Sequence, residues 1–60
     1  MKKIIILDFE SGEVHVFNYD SNIFEDFSDF VIVINEEHDL NLREKNCQWM
    51  IVDDLNIQIH

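Results

Sequence analysis

Residues 22–38 decide what this chain can fold into. Val31-Ile32-Val33-Ile34 has the β-branched composition of a strand. The wider spacing is helical. Ile23, Phe24, Phe27, Phe30, Val31, Ile34 and His38 follow steps of three and four and form one apolar stripe. Glu25, Asp29 and Glu36 fall on the opposite side, with Asp26 and Glu37 along its edge. Asp20, Ser21 or Asn22 can cap the start, and Asn22 with Glu25 three residues on makes a capping box. Glu36, Glu37 and Asp39 sit unfavourably at the negative end of such a helix. The stripe outweighs them, and the spacing predicts a helix over 22–38.

Strand-like segments flank it. Residues 3–9 and 14–19 are β-like and meet at Glu10-Ser11-Gly12-Glu13, where the one glycine of the chain takes positive φ without cost. A two-residue loop at Ser11-Gly12 sets Asp8 opposite His15 and Leu7 opposite Val16. After a loop at 39–46, residues 47–52 and 55–60 read as two strands joined at Asp53-Asp54. The expected fold is α+β, ordered ββαββ, a four-stranded sheet with one helix packed on one face. That order and length resemble small β-grasp domains of the protein G type. The resemblance implies topology and carries no antibody-binding motif.

These registers divide the sheet into two faces. Ile5, Leu7, Phe9, Val14, Val16, Met50, Val52, Leu55, Ile57 and Ile59 are expected beneath the helix. Ile4, Ile6, Phe17, Tyr19, Trp49 and Ile51 then project from the other face, which is expected to lie open. An open face this apolar reads as a partner-binding or homodimer surface. A one-residue slip in either hairpin would exchange the faces.

Charge narrows the choice of partner. From Ile4 to Leu42 there are ten carboxylates and no Lys or Arg; the four basic residues are Lys2, Lys3, Arg43 and Lys45. The net charge of −9 excludes direct binding of nucleic acid, whose phosphates need clustered cations. It favours a basic protein partner, such as the cleft of a nucleic-acid-binding enzyme. On the helix, Glu25, Asp26, Asp29, Glu36 and Glu37 surround Ile32 and Val33, so anions can steer a basic partner while the aliphatics add contact.

Sixty residues make a single domain, 1–60, and a chain of this size buries only about 60% of its unfolded surface. With 47% apolar and 12% aromatic residues it is nonetheless too hydrophobic to be disordered. One cysteine, Cys47, excludes an internal disulfide and fits a reducing cytoplasm. The apolar run Ile4–Leu7 stops at Asp8, too short for a signal peptide or a membrane span.

Catalytic and metal chemistry find little support. Glu36, Glu37, His38 and Asp39 point in different directions on a helix, and no convergent set of three or four ligands results. His38 reads as the end of the apolar stripe. Asp53-Asp54 reads as a turn, without the spaced ligands of a calcium loop. Cys47 and His60 would be cross-strand neighbours but lack an oxyanion donor and a third orienting group. Asp8 opposite His15 reads as an ordinary charge pair. No enzyme activity and no cofactor are expected.

The leading expectation is a small acidic inhibitor or modulator that docks its helix on a basic, nucleic-acid-binding surface and takes the place of phosphates there. In size and charge such a protein is similar to phage-encoded antagonists of restriction or CRISPR nucleases. The alternative is a self-associating structural module that uses the aromatic sheet face.

Overall fold

The computed structural model describes residues 2–60. The elements are β1 (Lys2–Asp8), β2 (Glu13–Tyr19), α1 (Phe27–His38), a single 3-10 turn (Glu44–Asn46) and β3 (Cys47–Val52). The sheet has three antiparallel strands in the order β2-β1-β3. The α+β class is as expected, with three strands in place of four.

β1 lies at the centre and is the strand buried on both sides. Ile4, Ile5 and Ile6 are all buried, the condition for a strand flanked by two others. The first hairpin closes differently from expectation. Asp8 pairs with Glu13, Leu7 with Val14 and Ile6 with His15, so the loop has four residues and the register lies two residues from the expected one. Asp8 builds this loop. Its Oδ1 accepts the Glu10 N–H at 3.0 Å, its Oδ2 accepts the Ser11 hydroxyl at 2.8 Å, and its carbonyl accepts the Gly12 N–H at 2.8 Å. Gly12 sits at φ 75°, a conformation that suits glycine. A shift of two residues keeps each side chain on its own face.

The grouping of residues into faces therefore holds, but α1 covers the other one. Ile4, Ile6 and Tyr19 are buried with Phe27, Phe30, Val31 and Ile34 of the helix, and Phe17 and Phe24 pack against them. Aromatic rings dominate the contact. Phe27 stacks on Trp49 at 3.9 Å, Phe24 meets Phe30 edge-on at 4.9 Å, and Tyr19 lies 5.2 Å from Phe30. Tyr19 also donates its hydroxyl to the Phe24 carbonyl at 3.3 Å. Burial of Ile4 and Ile6 alone contributes about 1.5–3 kcal/mol each.

The helix is shorter than its apolar stripe. Asp20 captures the preceding segment in a turn: its carbonyl accepts the Ile23 and Phe24 N–H groups and its Oδ1 accepts that of Asn22. Asp26, not Asn22, is the N-cap and accepts the Asp29 N–H at 3.0 Å. At the other end Asp39 adopts the left-handed conformation, and its N–H and that of Leu40 both donate to the Asn35 carbonyl. Asn35 then anchors the return of the chain. Its amide donates to the Leu42 carbonyl and accepts the Leu42 N–H, both at 3.0 Å, holding Leu42 in the core.

Residues 55–60 form no strand, which corrects the expected fourth one. Among the described residues no backbone hydrogen bond reaches them.

Asn35→Ala strands both Leu42 backbone groups beside the core. The expected loss is about 2 kcal/mol, a large share of the few kcal/mol available to a domain of this size. Urea unfolding followed by Trp49 fluorescence measures it as a lowered midpoint. An unchanged midpoint would show that the clamp does not hold Leu42.

Candidate partner-binding surfaces

The outward side of α1 carries Asp29, Ile32, Val33 and Glu36 at helical spacing, with Glu37 alongside and Glu25 and Asp26 just before the first turn. All are exposed except Val33, which is half-buried. From Asp29 to Glu36 the stripe runs roughly 10 Å along the axis. Asp26 is engaged as the cap; among the described residues the other carboxylates lack a cation. Lys2 lies 3.8 Å from Asp53, Arg43 lies 4.0 Å from Glu10, and Lys3 donates to Asn18. Among the described residues no ion pair reaches a helix carboxylate. The helix thus presents an uncompensated negative stripe with an aliphatic centre, and Ile32 is 60% exposed within it.

The aromatic sheet face occupies a different place from the one expected. Ile4, Ile6 and Tyr19 are core and offer nothing to a partner, while Phe17 is half-buried. Trp49 and Ile51 stay partly exposed at the β3 edge, and Trp49 uses one ring face on Phe27. The open face is the opposite one. Leu7, Val14, Val16 and Met50 all lie exposed there around buried Ile5, with Val14 at 62%. Sequence reasoning placed these residues under the helix. The signal for a second uncovered surface was present in β1, whose two sides are equally apolar.

The titratable groups at the end of the sheet support structure. Hydrogen bonds from Ser11 and from the Glu10 backbone hold the Asp8 carboxyl below its usual value, more strongly than burial raises it. His15 lies opposite Ile6 rather than Asp8. Its Nε2 is buried 3.5 Å from Glu13 Oε1 with no hydrogen bond, and its ring stacks on Phe17 at 6.1 Å. Burial pushes the Cys47 thiol up, and the nearby Asp8 charge adds to this. That is the reverse of what an activated nucleophile needs. Cys47 pairs with Asp8 on β1, and His60 lies in the unpaired segment, so the two are not brought together as a cross-strand pair. His38 closes the helix with its ring 5.2 Å from that of Phe17. Among the described residues no group of three or more His, Cys, Asp or Glu is placed to hold a metal ion. Nor is any helix among them long and apolar enough to cross a membrane.

No known protein family, curated protein or solved structure matches this chain at a significant level.

Asp8 makes the first hairpin sensitive to acid. Because its folded pKa lies below its ordinary value of 3.8, its contribution is fully present above that value and is lost as pH falls through the folded pKa. Ser11→Ala removes the largest cause of the depression. The variant should begin acid unfolding at higher pH than the wild type, and an NMR titration should show the Asp8 carboxyl moving up towards its ordinary value. Superimposable acid-unfolding curves would contradict this account of the turn.

Proposed function

We propose that this chain is a small acidic binding protein whose helix docks on a basic surface of a larger protein. The carrying observation is the row of exposed helix carboxylates with no cation paired to them among the described residues, set around Ile32 and Val33. A surface rich in Lys and Arg that otherwise receives nucleic acid has the matching chemistry. Glu25, Asp29, Glu36 and Glu37 take the place of phosphates on it, and the aliphatic pair contributes desolvated contact at the centre. Charged groups of this kind mainly accelerate and orient encounter, while the apolar centre prolongs the complex. The mode of action is competition: the partner is inhibited or modulated while the acidic helix occupies its site. A phage-encoded antagonist of a restriction or CRISPR nuclease, acting as a DNA mimic, is one setting that fits. No catalytic step or cofactor enters this reading.

The test separates this stripe from bulk charge. One variant carries Glu25→Gln, Asp29→Asn and Glu36→Gln; a control carries Glu13→Gln, Asp53→Asn and Asp54→Asn and removes the same charge elsewhere. Partners are captured from the native host with wild-type protein, and binding is measured at rising salt. The helix variant should lose at least tenfold in affinity and most of the salt dependence, whereas the control keeps both. Equal losses in the two variants would reduce the effect to net charge, and no loss in the helix variant would reject the docking surface.

A further inference from the structure

The second edge of the sheet, β3, is chemically unlike the rest of the molecule. Cys47-Gln48-Trp49-Met50-Ile51-Val52 contains no charged residue, in a chain of net charge −9. Its inner edge is bonded to β1, and among the described residues no strand lies on its outer edge. Exposed sheet edges are normally blunted by charge, proline or a bulge, because a bare uncharged edge accepts another strand. Here Trp49, Met50 and Ile51 are all part-exposed along it.

A strand suited to that edge follows directly in the chain. Leu55, Ile57 and Ile59 alternate with Asn56, Gln58 and His60, the period of a half-buried strand. Yet Ile57 is 67% and Ile59 92% exposed, and the segment carries no backbone hydrogen bonds among the described residues. The connection explains why it does not fold back. A tight two-residue hairpin between 52 and 55 favours positive φ at one or both central positions. Among the described residues only Gly12 and Asp39 have positive φ, so Asp53 and Asp54 are not in that conformation. An Asp-Asp pair without glycine is a weaker signal for such a turn than Asn-Gly or Asp-Gly.

We propose that residues 55–60 pair in trans, antiparallel on the β3 edge of a second copy, and that the exchange is reciprocal. Each chain then extends past Asp53-Asp54, where the bend in the chain interrupts the alternation so that Leu55 comes to the same side as Val52, and the two extended chains pair about a twofold axis at that point. This is the pairing of the expected hairpin made between copies instead of within one. Val52 meets Leu55 of the second copy, Met50 meets Ile57 and Gln48 meets Ile59. Because Met50 lies opposite Ile5 and Gln48 opposite Leu7, the incoming apolar residues land on the open face and extend it. The uncharged edge fits a second copy of an acidic chain better than a cationic partner, since it offers no anion to attract one. The exchange brings two Asp53-Asp54 pairs together, with one Lys2 beside Asp53 in each copy. Screening must therefore strengthen the dimer, whereas it weakens docking of the acidic helix on a basic surface. The proposal is independent of that docking, and the two respond to salt with opposite signs.

The experiment is mass by sedimentation equilibrium from low to high micromolar protein, at low and high salt. The wild type should approach twice the chain mass, with a lower dissociation constant at high salt. Ile57→Lys with Ile59→Lys should halve the mass while far-UV circular dichroism keeps its helical signal. Asp53→Asn with Asp54→Gly supplies the residues of a tight turn and should also give a monomer, by closing the hairpin within the chain. In a mixed sample of labelled and unlabelled wild type, contacts between Met50 and Ile57 should appear between copies. A monomeric wild type at high micromolar concentration and high salt would overturn the proposal. So would a dimer that survives both lysines, because the segment would then not be what joins the copies.

Discussion

Three consecutive isoleucines at the centre of the sheet set the terms for everything else. In an extended strand, neighbours point to opposite sides. Ile4 and Ile6 therefore face one way and Ile5 the other, flanked by Leu7. A single helix can cover one side only. It takes the side carrying Phe17, Tyr19 and Trp49, where rings can stack and interlock with Phe24, Phe27 and Phe30. The other side is left with Leu7, Val14, Val16 and Met50 facing outward. The open surface is thus a consequence of burying the first one, because no second layer is supplied by residues 2–52.

Much of this was legible in the chain. The hairpin between β1 and β2, the helix, the strand at 47–52 and the division of side chains into two groups all follow from periodicity and one glycine. What periodicity cannot contain is which of two equally apolar faces receives the helix. β2 and β3 both run antiparallel to β1 and hence parallel to each other, so the path through α1 is a crossover with β1 between its ends. Such crossovers have a preferred hand, which restricts the helix to one face for a given strand direction. That is a property of the connected chain and not of any window of residues. The candidate site divided in the same way. Asp29, Glu36 and Glu37 lie exposed on α1, as a 3.6-residue period arranges them, whereas Glu25 and Asp26 precede its first turn. The aromatic set was grouped correctly and assigned the wrong surroundings.

Smaller departures have a shared origin in short polar side chains. Asp8 bonds to the two residues that follow it and widens a two-residue loop to four. Asp20 gathers Asn22, Ile23 and Phe24 into a turn and delays the helix to Asp26. Asn35 sits within the helix but spends its amide on Leu42, seven residues on. Each competes with regular structure by offering a backbone group an alternative partner. Apolar stripes show where an element can extend; these residues decide where it stops.

Charge and apolarity are also segregated, and this gives the two proposed surfaces different physics. The chain's cations lie at its sheet and loop margins, where Lys2 and Arg43 answer Asp53 and Glu10. Among the described residues none is paired with a helix carboxylate, and the helix field therefore extends into solvent over about a Debye length, ~10 Å at moderate ionic strength. β3 and residues 55–60 contain no Asp, Glu, Lys or Arg and act at contact range. A long-range anionic surface selects its partner by sign before touching it, whereas a neutral strand edge selects by hydrogen-bond register once contact is made. Because the strand edge and the outward helix stripe are separate surfaces of the same small body, occupancy of one leaves the other presented. A strand-paired dimer would then display two acidic helices at a fixed separation, and a basic partner with two suitable sites would bind it with an avidity set by that geometry.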